Sequence, residues 1–137
     1  MGQSDWFSGF FLFAQERCVA GVSILQFLPT DDAFVDNFGP NQNFGSEADL
    51  YIGNRSMGET CRSYLKFDIN PIPEGATIVN AQLVLNANGE SDCYISAHNV
   101  IDTFWSEDLI IWDNAPGFEP VPTFDVYYMT GSAWSFA

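Results

Sequence analysis

Apolar residues in this chain recur every second position, and they do so in three separate runs. In "CRSYLKFDIN" Cys61, Leu65, Phe67 and Ile69 share one parity, and Tyr64, Lys66 and Asp68 take the other. In "TIVNAQLVLNA" Val79, Ala81, Leu83 and Leu85 alternate with Asn80 and Gln82. In "CYISAHNVI" Cys93, Ile95, Ala97 and Ile101 fall together. A period of two places alternate side chains on opposite faces of a strand, whereas a helix needs a period near 3.6. Punctuation fits the same reading. "NPIPEGA" is a loop fixed by Pro71, Pro73 and Gly75, and Asn88-Gly89 within "NANGESD" signals a tight turn. Helix signals are almost absent. The expected class is all-β, built of half-buried antiparallel strands in a β-sandwich or jelly roll.

Length sets the scale. At 137 residues the chain suffices for one domain with a real core. Acids outnumber bases 18 to 4, for a formal net charge of −14, and the bases are only Arg17, Arg55, Arg62 and Lys66. That balance excludes nucleic acid and anionic lipid as partners.

The opening "WFSGFFLFAQERC" is the most aromatic stretch of the chain, and it lies at a terminus. A secretory signal needs a basic residue ahead of its apolar run, and Met1 to Trp6 offers only Asp5. A membrane helix needs about 20 apolar residues, and Gln15-Glu16-Arg17 interrupts this run. No span of a bilayer is expected here or elsewhere in the chain. The remaining readings are a core strand of the chain's own domain and a strand meant for a neighbouring copy.

"LPTDDAFVDNFGPNQNFGSEADLYIGN", "RSYLKFDI", "IPEGATIVNAQLVL" and "FWSEDLIIWDNAP" follow one another in an order that resembles the DNRLRE or disaggregatase-related family of extracellular carbohydrate-binding modules. The matching positions are Asp32 to Val35, Asn43 to Gly45, Leu50 to Gly53, Tyr64 to Asp68, Gly75 to Ile78, and Trp105 through Pro116, across residues 20 to 126. The resemblance implies a single jelly roll outside the cell, tied to polysaccharide or to surface assemblies. Two departures stand out. The family's closing strand has no counterpart after "FDVYYMTGSAWSFA", and residues 1–18 precede the family's usual first strand, "GVSILQFLP".

A jelly roll short of a strand exposes a groove and unpaired backbone groups, which a neighbour's extended segment can fill. The reading is therefore an extension, 1–18, ahead of a jelly-roll domain, 19–137, with Trp6, Phe7, Phe10, Phe11, Leu12 and Phe13 as the donor strand. Donation from copy to copy builds a helical filament, so the leading expectation is a structural subunit of an extracellular, glycosylated, pilus-like fibre. The alternative is a monomeric carbohydrate-binding module of a secreted or cell-surface protein, closed by its own strand.

Catalytic signals are lacking. His98 is the only histidine and falls on the outward parity of its strand, and no nucleophile motif or phosphate-binding glycine loop occurs. The expectation is a protein that is not an enzyme. Asp31, Asp32, Asp36, Glu47 and Asp49 form a candidate oxygen-ligand set for calcium, although their spacing matches no EF-hand loop and a solvated acidic loop is the plainer reading. Asn54 begins the acceptor sequon Asn-Arg-Ser for a covalent glycan. Trp105 and Trp112 are candidates for stacking on a sugar ring, and equally for sealing the base of the fold. Cys61 and Cys93 share inward parity and could form a disulfide or remain buried thiols, with Cys18 left over at the junction of extension and domain.

Overall fold

The computed structural model describes residues 5–18, 21–54, 56–87, 93–128 and 134–136, and gives the two terminal strands as main-chain pairing. It is all-β. The strands are β1 (Asp5–Cys18), β2 (Gly21–Phe27), β3 (Asp31–Asp36), β4 (Leu50–Asn54), β5 (Thr60–Lys66), β6 (Ile78–Ala87), β7 (Cys93–Ala97), β8 (Phe124–Tyr128) and β9 (Trp134–Phe136). Seven of them form one antiparallel sheet in the order β3-β5-β4-β1-β6-β9, with β2 paired to β1 off that path. The other two, β7 and β8, pair as a separate layer.

The N-terminal stretch is a strand of this chain's own sheet. Asp5–Phe7 pair with Leu50–Ile52 of β4, while Phe10 pairs with Leu85 and Leu12 with Leu83 of β6. Donation to a neighbour is not what this structure shows; the segment is taken up intramolecularly, as in the alternative expectation. Its position explains the long apolar run. Phe7 pairs with both β4 and β6, and Leu12 to Glu16 with both β2 and β6, and pairing on both edges suits a segment with few polar side chains.

Two apolar clusters flank β3. Phe34 faces the first, with Leu50, Leu85 and Ile95, and Phe44, Tyr51, Leu65, Leu83 and Phe124 pack around them between the two layers. Ala33 and Val35 point the other way into the second, with Tyr64 and Ile110, bordered by Val100, Trp105, Trp112 and Ala115. Four successive residues of β3, Ala33 to Asp36, are thus buried. Burial on both faces is unusual for a strand at the end of a sheet. The second face is covered by a loop.

That loop is the tip of a long hairpin. Beyond β7 the chain stays paired to the segment leading into β8, through the Val100–Phe118 bridge and the backbone bonds Ile101 N–H to Gly117 O and Glu119 N–H to Asn99 O. The intervening residues 102–116 lie across β5 and β3. Tyr64, expected on a solvent face by its parity, is only 4% exposed for this reason. The opposite error occurs in β6. Val79, expected inward, is 53% exposed, because the two-stranded second layer ends before reaching the start of β6. Ile69 and Ile101 are also exposed, since β5 stops at Lys66 and β7 at Ala97. The Asn88-Gly89 turn lies outside the described residues, and the strands on either side of it belong to different layers.

Two glycines have specific work. Gly75 turns the loop between β5 and β6 at φ +81°, where a side chain is disfavoured. Gly45 lies against the hairpin tip, and a Cβ there would collide with the carbonyl group of Glu107. Because that obstacle is backbone, relief requires the two loops to separate. Gly45→Ala should therefore destabilise the fold by more than about 2 kcal/mol in urea unfolding, against a few tenths for an ordinary exposed loop substitution.

Candidate functional site

The hairpin tip is fixed to the sheet by polar bonds at both ends. The Asn43 side-chain amide donates to the carbonyls of Glu107 and Ile110, each at 2.7 Å, and Asp113 N–H donates to Pro40 O at 3.2 Å. Glu107 accepts from Asp32 N–H at 3.0 Å through its carboxylate and donates its own N–H to Asp31 at 3.2 Å. Lys66 completes the arrangement, with Nζ 2.8 Å from Asp31 Oδ2 and donating to Trp105 O at 2.6 Å. Asn43, Gly45 and the tryptophan loop, separate motifs in sequence, are thus one contact in space.

Charge in this knot is unevenly distributed. Burial pushes the Asp31 carboxyl up, but the hydrogen bonds from Lys66 and Glu107 N–H and the Lys66 charge outweigh it and hold it below the ordinary value. Asp32 goes the other way. Burial, then the nearby Glu107 and Asp31 charges, raise it.

Along the covered face of β5, residues 62, 64 and 66 stand in a row. Lys66 Nζ lies 5.0 Å from the centre of the Trp105 ring, and Tyr64 meets the same ring edge-on at 5.8 Å. Tyr64 donates its hydroxyl to Pro116 O at 3.1 Å. Arg62 differs from both. Its guanidinium carbon sits 4.6 Å from the Trp112 ring and 5.1 Å from the Phe118 ring, and the residue is exposed. His98 touches Phe118 edge-on at 5.1 Å. His98 Nδ1 is 2.8 Å from Glu119 O, and since a carbonyl only accepts, Nδ1 carries the proton. Asn99 reaches Glu119 Oε2 at 3.4 Å.

Arg62, His98, Asn99 and Phe118 line a cleft of about 560 Å³ that enters between the layers. Arg62, His98 and Asn99 form its polar rim, and the buried Leu50, Leu85 and Ile95 its apolar floor. An exposed planar cation between two aromatic rings, with an amide and an imidazole beside it, offers flat apolar area and directional hydrogen bonds in one place. A ligand with an apolar face and a hydroxyl rim would use both. Among the described residues no general base, nucleophile and oxyanion site are brought together there.

Trp105 and Trp112 are half-buried, and each already carries a cation over its ring. The five acidic residues considered for calcium are not brought to one point. Asp31 and Asp36 end opposite ends of β3, about 16 Å apart by strand rise. Asp31 is held by Lys66 and Glu107, and Asp36 caps Phe38 N–H at 2.8 Å. Sequence spacing did not suggest the group that does converge: Asp36, Glu59 and Cys61 place donor atoms within 4.8 Å of one another. Three donors are one fewer than a structural zinc takes. Cys61 is buried in β5, and Cys93 lies on β7 in the other layer. Asn54 is exposed at the end of β4, its side-chain oxygen accepting from the Thr60 hydroxyl at 2.9 Å. Arg62, Phe118 and Asn99 were missed from sequence, because only the path of the hairpin brings residues 112 and 118 over position 62.

Residues 23–135 match the profile described as Carbohydrate-binding module family 96. A gellan lyase of Bacillus sp. is 30% identical over 121 residues, covering 80% of this chain, and the chain spans only 5% of that lyase. No solved structure matches. The match carries the broad part of the resemblance read from sequence, a family of carbohydrate-binding modules, and not the DNRLRE or disaggregatase name.

Lys66→Met tests the knot beneath the site. A depressed carboxyl adds stability that is present above its unfolded value near 3.8 and lost as pH falls through the folded one. The variant should be less stable than the parent by about 1–3 kcal/mol at pH 7. The gap should shrink below about pH 4 as Asp31 is protonated. Urea midpoints measured from pH 7 to pH 3 check this; a gap constant with pH would remove the ion pair from the account.

Proposed function

The chain belongs to Carbohydrate-binding module family 96, and on that premise we propose that it is a non-catalytic module holding polysaccharide at the Arg62 rim of the inter-layer cleft. The observation that carries the reading is the exposed Arg62 guanidinium between Trp112 and Phe118. A sugar ring has an apolar C–H face and an equatorial belt of hydroxyls. The part of the Trp112 and Phe118 rings that Arg62 leaves uncovered takes the first, and the planar donors of Arg62 with Asn99 and His98 take the second. Glu119 holds Asn99 and His98 in place, which reduces the ordering cost of binding. The module works outside the cell, as part of a longer secreted or surface protein. Cleavage of the polymer, as in the related lyase, belongs to other parts of such a protein.

Gellan is the first polysaccharide to try, because the matched relative is named for it. In affinity electrophoresis through gels containing gellan, xylan, cellulose derivative or mannan, the parent chain should be retarded by at least one of them. Arg62→Ala should weaken that retardation about tenfold or more, while costing only about 1 kcal/mol of stability for an exposed cation–aromatic contact. Equal retardation of parent and variant would move the site elsewhere.

A second reading keeps the fibre. It is favoured by one feature: β1 fills a slot between β4 and β6, and the same strand from another copy would fill that slot with the same register. In that reading Trp6 to Phe13 are exchanged between subunits, and Asn54 carries a glycan on the fibre surface. Negative-stain micrographs of the purified chain separate the two. Long particles that vanish on removing residues 1–14 favour exchange, and compact monomers favour the closed module.

A further inference from the structure

We infer that Phe104 is a second sugar-stacking platform, so that the module grips an extended internal stretch of polysaccharide at two places along one hairpin rather than a single sugar or a chain end. The inference rests on the carbohydrate reading above. Phe104 is 97% exposed, the most exposed large apolar residue among those described. Ile101 and Leu109, in the same nine-residue stretch, are 71% and 72% exposed. Single exposed apolar residues are ordinary, but three within one nine-residue stretch are more than isolated exposure.

Loose packing does not account for it. Phe104 N–H donates to Asp102 Oδ1 at 2.8 Å, and the next carbonyl, that of Trp105, accepts from Lys66 at 2.6 Å. Three residues on, Asn43 and Asp31 hold Glu107. The backbone at and beside Phe104 is therefore tied down by hydrogen bonds. The neighbouring Trp105 performs the covering of Tyr64 and Lys66, so the phenyl group adds no burial to the fold. A rigid base presenting an uncovered ring is what a stacking contact needs, because little side-chain entropy remains to be lost.

Spacing points to the length of the ligand. Trp112 stands over Arg62 and Trp105 over Lys66. Four strand positions separate those two cations, about 13 Å at the usual rise. Phe104 is bonded to Trp105, whose carbonyl Lys66 holds, so the two contacts are also on the order of 13 Å apart, more than one monosaccharide spans. Between them Tyr64 lies buried under the loop and offers no third ring.

The test uses the whole chain against gellan, xylan, cellulose derivative and mannan, and against oligosaccharides of increasing length cut from each. Parent affinity should rise with length until both contacts are engaged. Phe104→Ala should melt with the parent, within about 2 °C, as expected for a side chain that covers nothing. It should lose about three- to tenfold in affinity for the polymer and nothing for the shortest oligomer bound at Arg62. Phe104→Trp should restore or exceed the parent. A parent affinity that does not change with length, or a Phe104→Ala variant that binds polymer like the parent while Arg62→Ala does not, overturns this inference alone. If the parent binds no member of the panel, the carbohydrate reading falls and takes the inference with it.

Discussion

The knot formed by Lys66, Asp31, Glu107 and Asn43 holds a fifteen-residue hairpin tip flat on the face of β5 and β3. Without it Ala33, Val35 and Tyr64 would face water, and the end of the sheet would have one buried side instead of two. Partly buried charge of this kind is stabilising only when each group has partners. Here each has: the Lys66 ammonium meets a carboxylate and a carbonyl, and Asp31 receives both Lys66 and a backbone N–H. In a chain with 18 acids and 4 bases, placing one of the bases at this point is an economical use of scarce positive charge.

The same loop makes the site. Trp112 and Phe118 reach Arg62 because the tip is pinned on both sides of them, at Asn43 and Pro40 on one flank and through the Val100–Phe118 bridge on the other. Two of the chain's cations thus have different duties at different exposure. Lys66 is drawn into the knot, and Arg62 is left at the surface between aromatic rings. A family of carbohydrate-binding modules needs a stable platform more than a mobile one, since ligand binding has to overcome the ordering cost of whatever moves. One strand thus presents both a pinned cation and an exposed one to the same loop.

In the middle of the sheet β1 performs a similar joining task with backbone alone. It is the link through which β3, β5 and β4 connect to β6 and β9. Intramolecular closure and exchange between copies would make the same hydrogen bonds, so the choice between them depends on the connection and the concentration rather than on the strand itself.

The alternation of "CRSYLKF", "AQLVL" and "CYISA" determined the class of fold and the buried faces of Cys61, Leu65, Leu83, Leu85 and Ile95, because side-chain direction in a strand is a local property. The order of the turn motifs determined the family resemblance. Residues at the same parity could not reveal whether their face met water or a loop, and that is where reading by pattern failed. Tyr64 and Val79 exchanged their expected environments because cover is supplied by distant chain: present over β5, absent over the start of β6. Likewise the sequence marked Trp105 and Trp112 as aromatic candidates but could not show that each ring is already occupied by a cation, nor that Phe104 beside them stands bare. Those distinctions depend on contacts between residues 39 or more positions apart, and only the folded hairpin brings them together.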